Sequence, residues 1–244
     1  MASVLEIACR ASADQAAAAR RWYGNEATRA WSALPGLTAF DLYVPTAGSA
    51  KDPMVNDGSG PLFLLMLEFS SVAALEQAAR SRNFAAPLLS LPAGLELSAD
   101  PMERLSYPVA GQTAAMPLSA PFSYSVRYHR PAEDEARFVD FYLTNHPPLL
   151  ARLPDVRNVI CYLPVQGISP AGLASADYML GNEVVFDSIE AFNAAMASEA
   201  RRELRADFAR FPRFTGRNTH YPMDRTRLVD GLARNCETAE LGLP

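Results

Sequence analysis

Cysteine is scarce and poorly spaced for a scaffold: Cys9, Cys161 and Cys236 are odd in number, far apart and form no CxxC pair. That excludes a disulfide framework and a structural zinc, and it fits a reducing, cytoplasmic location. Histidine is equally sparse. His129, His146 and His220 share no HxH or HxxxH spacing and no carboxylate-flanked pattern, so no metal site is expected. GxGxxG and GxxxxGK[ST] are both missing, which argues against dinucleotide and nucleotide cofactors, and so is the GxSxG nucleophile elbow. No cofactor is expected. The 22 basic and 27 acidic residues leave a net charge of −5, with no Lys/Arg cluster interleaved with aromatics, so neither nucleic acid nor anionic membrane is an expected partner. No apolar run approaches a membrane span. Met1–Arg10 places an acid inside a short alternating segment rather than a basic leader before an apolar one, and no signal peptide is expected.

What the chain does have is an internal repeat. Asp140–Pro164 (DFYLTNHPPLLARLPDVRNVICYLP) aligns without a gap on Arg21–Pro45 (RWYGNEATRAWSALPGLTAFDLYVP), at a constant offset of 164 − 45 = 119. Tyr23/Tyr142, Leu34/Leu153, Pro35/Pro154, Tyr43/Tyr162 and Pro45/Pro164 coincide. A fixed period of this kind means one structural unit used twice. With 244 residues, 49% of them hydrophobic, two small domains can each bury a core.

The local pattern gives the elements. Val4–Arg10 alternates as a half-buried strand, with Leu5, Ile7 and Cys9 in one phase and Glu6 and Ala8 in the other. Ser12-Ala-Asp-Gln15 has capping-box spacing and predicts a helix to about Leu34, ended by Pro35-Gly36. Strands are expected at Leu37–Val44, Leu62–Phe69 and Leu95–Ala99. A long mobile loop (TAGSAKDPMVNDGSGP) separates the first two, and a helix capped by Ser70 or Ser71 precedes the last. This βαββαβ order is that of a ferredoxin-like unit. A Pro/Ala/Gly-rich linker spans residues 107–121.

The unit then recurs. Ser123–His129 is a strand, Pro131 takes the first helical position with Glu133–Glu135 in the first turn, and Phe138, Phe141, Tyr142 and Leu149 line one helix face. Pro147-Pro148 is expected to interrupt that helix, leaving His146 at a kink. Strands at Val156–Leu163, Tyr178–Phe186 and Arg217–Tyr221 follow, with a helix capped by Asp187-Ser-Ile-Glu190. Pro101-Met-Glu-Arg104 recurs as Pro222-Met-Asp-Arg225, an offset of 222 − 101 = 121. The expected division is residues 1–106, a linker at 107–121, a second unit at 122–225 and a tail or added helix at 226–244. Two four-stranded sheets, each covered by helices on one face, should pack together within the chain.

Three features of the second unit resemble the EthD family of the dimeric α+β barrel superfamily: Phe141-Tyr142, the helix histidine His146, and Leu153-Pro154-Asp155-Val156 before a strand. The resemblance covers Phe122–Arg225; the first unit has Ala27 where His146 stands. It implies an α+β fold of two tandem ferredoxin-like units closing an intrachain barrel. It also implies chemistry of the kind found among lactone isomerases, polyketide cyclases and dehydratases, cofactor-free monooxygenases and haem-degrading enzymes, and fold alone does not choose among these.

Each half serves as the structural control for the other. Leu95, Leu97 and Ala99 correspond to Gly216, Asn218 and His220; Leu5, Ile7 and Cys9 to Tyr124, Val126 and Tyr128; and Ala27 to His146. Asn182 stands for Leu65 at an offset of 182 − 65 = 117. An apolar face has become polar. Although the first and last strands of a unit are not expected to pair, these groups should converge on one cavity in the second half. The expected ligand is an aromatic or lactone-like small molecule. His146 and His220 are the candidate acid/base residues; Tyr124, Tyr128, Phe141, Tyr142 and Asn218 are the candidate binding residues. The alternatives are a non-catalytic barrel in which His146 only satisfies freed backbone groups, and haem binding. His129, matching the polar Arg10, should lie at the surface. Cys161 should be an inert buried thiol, and Trp22, Tyr23, Glu26 and Trp31 should be core. A chain holding its own barrel should be stable as a monomer, with a homodimer through the outer surface left open.

Overall fold

Each strand expected from the side-chain pattern is present, and two run much further than the pattern indicates. The structure, a computed structural model, describes residues 2–52 and 60–230. Cys236 and the tail from 231 onward lie outside the described residues, as do 53–59 of the long loop. The strands are β1 (Ala2–Arg10), β2 (Leu37–Pro45), β3 (Phe63–Phe69), β4 (Glu96–Tyr107), β5 (Phe122–His129), β6 (Asn158–Pro164), β7 (Tyr178–Phe186) and β8 (Asn218–Asp230).

They form one closed antiparallel barrel in the order β1-β3-β2-β8-β5-β7-β6-β4. Around this ring the first half reads β4-β1-β3-β2 and the second β8-β5-β7-β6, the same order with every number raised by four. The first and last strands of each half do pair, β1 with β4 and β5 with β8, contrary to expectation. The halves also turn alike: Gly36 and Asp155, 119 residues apart, both take left-handed φ values of 75° and 59° before the strand that follows.

The extra length of β4 and β8 is what closes the ring. β4 pairs with β1 as far as Arg104 and with β6 through Met102–Tyr107, and β8 pairs with β5 as far as Asp224 and with β2 through Met223–Asp230, so the far end of each lies against the other half alone. Charged residues hide the alternation there, because they are paired within the barrel wall. Arg104 grips both oxygens of Glu68 at 2.6 and 3.0 Å, and Arg225 and Arg227 meet Asp41 at 2.8 and 2.6 Å. Residues 226–230, expected in a tail, are therefore strand.

Both faces of most strands are buried, so β1 is not half-buried as its alternation suggested. Leu5, Ile7 and Cys9 lie under helices, whereas Val4 and Ala8 face the barrel interior. Glu6 faces inward too, and meets Arg127 of β5 across the lumen. His129, in phase with Arg127, is buried by the same geometry rather than solvated. Its Nε2 lies 3.1 Å from Thr219 Oγ1 and its Nδ1 3.3 Å from the Ala176 carbonyl. Cys161 is buried, as expected, and burial pushes its thiol up to about 12.

In the first half the helical layer is α1 (Ala16–Trp22), a π-helical turn (Tyr23–Ala27), α2 (Thr28–Trp31), α3 (Val72–Ala79) and α4 (Arg82–Ala85). Ser12 occupies the expected N-cap position before a short 3-10 turn, but its side chain makes no capping bond. Ser71 caps α3. The second half carries α5 (Glu135–Leu150), α6 (Ile189–Ala195) and α7 (Glu199–Phe208). Pro131 lies outside α5, whose N-cap is Asp134, accepting from the Arg137 N–H at 2.9 Å.

Pro147 and Pro148 do not interrupt α5. Neither can donate to the preceding turn, at a cost of ~3 kcal/mol for an interior proline. Both sit in the last turn, however, and Phe138, Tyr142 and Leu150 are buried on the same helix at roughly 1.5–3 kcal/mol each. Packing outweighs the lost bonds.

Candidate functional site

Under the helices of the second half lies a partly open cavity of about 300 Å³. Its floor is three adjacent strands. β5 contributes Tyr124, Val126 and Tyr128; β8 contributes Asn218 and His220, directly opposite Tyr128 and Val126; β7 contributes Asn182 and Val184 from the other side. The roof is His146 and Leu150 of α5, Phe192 of α6 and the inward stripe of α7. Tyr124, Tyr128, His146, Asn182, Asn218 and His220, drawn from distant parts of the sequence, thus face one space. Phe141 and Tyr142 do not line it. Phe141 lies against Phe211 with the Arg210 guanidinium 5.6 Å from its ring. Tyr142 is fully buried behind the wall, with its hydroxyl accepting from Asn182 Nδ2.

The corresponding space in the first half holds packed aromatic rings, with Trp31 5.8 Å from Trp22 and 5.2 Å from Phe84 between ring centroids. The repeat sets Trp31 against Leu150 (150 − 31 = 119), and the Trp31 indole stacks on Phe84 while donating to the Phe84 carbonyl at 3.0 Å. Trp22 donates to the Pro87 carbonyl at 2.9 Å. Trp22 and Trp31 are core, as expected, whereas Tyr23 is only half-buried and the Glu26 side chain is 45% exposed. Exchanging an indole for a leucine on the covering helix leaves room that small polar strand residues then border.

His146 is the most specifically held group. Its Nδ1 lies 2.9 Å from Asp207 Oδ2, and both side chains are almost wholly buried. A carboxylate accepts and does not donate, so Nδ1 carries the proton and Nε2 keeps its lone pair. Burial holds the imidazole below its ordinary value; the Asp207 hydrogen bond and charge oppose this, and Arg201 reinforces it. His146 is thus a neutral base near pH 7. The tyrosines behave oppositely: burial pushes Tyr128 and Tyr142 upward, so both remain hydrogen-bond donors. Asn218 Nδ2 is buried with no hydrogen-bond partner among the described residues. An unmet buried donor costs ~1–3 kcal/mol, and an acceptor on a ligand would remove that cost.

A pH dependence of stability follows. Because the folded-state value of His146 lies below the unfolded one, the unfolded chain takes up the proton first as pH falls, so this contribution is complete above about 6.5 and is lost below it. His129 is shifted the same way, while Asp100, raised to about 6, acts in the opposite sense at lower pH. The difference between wild type and His146→Asn isolates one group. Chemical denaturation should show that difference shrinking as pH is lowered from about 7.5 to about 5; a constant difference would mean that His146 is not depressed.

Sequence reasoning missed Asp207, Arg201 and α7 itself. The signal was present in Ser198 followed by Glu199, with Leu204 and Phe208 four residues apart, and Ser198 does cap the helix by accepting from the Arg201 N–H. Comparing the halves did not reach it, because α4, the short first-half helix before β4, is one turn long. The first half also contributes directly to the site: Asp52, at the start of the long loop, lines the cavity and pairs with Arg201 at 3.1 Å. Among the described residues, no group of three or more His, Cys, Asp or Glu side chains is placed to hold a metal ion, and no helix is long and apolar enough to cross a membrane.

Residues 130–214, which carry α5, β6, β7 and α7, match the family model described as EthD domain. No curated protein sequence is significantly similar. Among solved structures, an anthrone oxidase-like protein superposes with a TM-score of 0.58 at 13% identity, covering 94% of each chain. A candidate monooxygenase from Fusobacterium nucleatum subsp. nucleatum ATCC 25586 gives 0.58 at 8% identity, covering 92% of this chain and 93% of that one. A candidate monooxygenase from Lactobacillus acidophilus NCFM gives 0.55 at 10% identity, covering 95% and 98%. At such identities the likeness is one of fold alone.

Proposed function

We propose that the second half binds an aromatic or lactone-like small molecule and that His146, held by Asp207, removes a proton from it. The first half, in this reading, is a tandem ferredoxin-like unit kept as scaffold. The repeated strand order and the equivalent turns at Gly36 and Asp155 support that division.

The observation that carries the reading is the buried His146–Asp207 pair on the wall of a largely apolar cavity. A depressed, neutral imidazole with its Nδ1 proton engaged is a general base. Charge developing on a carbonyl or phenol oxygen would find Asn218 Nδ2 and the protonated Tyr128 hydroxyl as donors. The fate of the resulting enolate or phenolate belongs to the substrate. Reprotonation elsewhere is isomerisation, loss of a neighbouring hydroxyl is dehydration, and reaction with dioxygen is oxygenation. The candidate monooxygenases and the anthrone oxidase-like protein among the structural neighbours are compatible with the last of these.

The test is a thermal-shift screen of aromatic acids, lactones and phenols against the full chain, repeated on Val184→Trp, which fills the cavity. True ligands should raise the melting temperature of the wild type and lose that effect in the variant. Protection that survives the filled cavity would place binding elsewhere and overturn the reading.

A further inference from the structure

The charges facing the cavity are unequal. α7 turns Arg201, Leu204, Arg205 and Phe208 toward it, at the i, i+3, i+4 and i+7 spacing of one helical face. Arg201 Nη2 donates to both oxygens of Asp52 at 3.2 and 3.1 Å. Arg205 has no acidic partner among the described residues. Two guanidinium groups and one carboxylate therefore line the cavity itself, one positive charge in excess at the α7 stripe; the nearby Asp207 carboxylate is outside the lining, behind neutral His146, with Arg210 Nη1 3.9 Å from it. Arg205 is exposed, so stability gives no reason for its place on the cavity-facing stripe.

We infer that the ligand is a carboxylate, its anionic end received by Arg205 and Arg201 and its ring lying over Val126, Val184 and Phe192. This rests on the reading of the cavity as a small-molecule site. Asp52 shows the chemistry directly: it is a carboxylate already seated on Arg201, carried there by a loop of the first half that is itself tied down. The Lys51 N–H donates to Asn193 Oδ1 at 2.7 Å, and Asn193 Nδ2 donates to the Ser49 carbonyl at 3.0 Å. A planar guanidinium fork suits a carboxylate better than any neutral group. An incoming acid would take the open donors of Arg205 and compete with Asp52 for those of Arg201, so the first half would set how tightly the second holds its ligand.

Calorimetric titration of the full chain with 1-naphthoate and with its neutral counterpart 1-naphthamide tests this. The acid should bind about tenfold more tightly, and Arg205→Gln should abolish that preference while leaving the amide unaffected. Asp52→Asn, which keeps the side-chain size and removes the competing charge, should tighten the acid and not the amide. Equal affinities, or an acid preference that survives Arg205→Gln, would overturn the inference while leaving the cavity reading intact. An acid affinity unchanged in Asp52→Asn would overturn the competition. If neither compound binds but a neutral lactone or phenol does, the anion is refuted alone; if nothing in the panel binds, both readings fall.

Discussion

Replacing Arg127 with methionine should cost about 3–5 kcal/mol of stability, the loss expected when one partner of a fully buried ion pair is removed. Arg127 and Glu6 are 1% and 0% exposed, and they meet inside the barrel between β5 and β1, from opposite halves of the chain. Arg127 Nε lies 3.1 Å from Glu6 Oε2, its Nη1 donates to the Val126 and Asn182 carbonyls, and the guanidinium sits 5.0 Å from the Tyr162 ring. Methionine fills similar volume but leaves the carboxylate alone in a medium where an unpaired charge is costly. The pair itself need not stabilise: the double variant Arg127→Met/Glu6→Leu should recover most of the loss, since two apolar side chains replace both charges. Urea unfolding of both variants checks this. A single variant within about 1 kcal/mol of wild type would mean that water reaches the lumen. By contrast Arg104–Glu68, with side chains about one-fifth exposed, should matter less.

The second large effect concerns chemistry rather than stability. His146→Asn places an amide nitrogen where Nδ1 stood, so Asp207 keeps a donor while the lone pair of Nε2 disappears. Once a substrate from the ligand screen is in hand, turnover should fall by about 10²–10⁴-fold, the usual contribution of a positioned base, with ligand affinity little changed. Asp207→Asn should lower turnover as well. Because the carboxylate raises the imidazole value against burial, its removal should also move the acid limb of the rate profile to lower pH. Unchanged turnover in His146→Asn would remove His146 from the mechanism, and an unmoved acid limb in Asp207→Asn would deny the carboxylate its role.

Much of the fold was legible because strand alternation and the 119-residue offset are local facts. The cavity was legible in part for the same reason: where Leu5, Cys9 and Ala27 become Tyr124, Tyr128 and His146, the copy itself marks a change of environment. What escaped depends on distance. The far ends of β4 and β8 carry Arg104, Arg225 and Arg227, which look solvated until their partners Glu68 and Asp41 on other strands are known. The polar counterpart Arg10 points His129 to the surface, but a closed barrel has an inside for polar residues too. Pro147-Pro148 looks like a break because the packing that overrides it, on Phe211 and Tyr128 of β5, is not adjacent in sequence. The cavity's volume turns on Trp31 against Leu150, a difference in size between two apolar residues and so invisible to a search for gained polarity.

Closing the ring within one polypeptide also frees the halves from symmetry. In a barrel made of two identical chains, every substitution on the ligand-facing wall is made twice, and a change that opens one hollow must open its twin. Here a leucine at 150 can coexist with a tryptophan at 31, and Asp52, carried on a first-half loop, can reach over to α7 without any reciprocal loop having to do the same. A single lopsided chamber, walled by one half of the ring and latched by the other, is open to a molecule that carries both halves in one polypeptide.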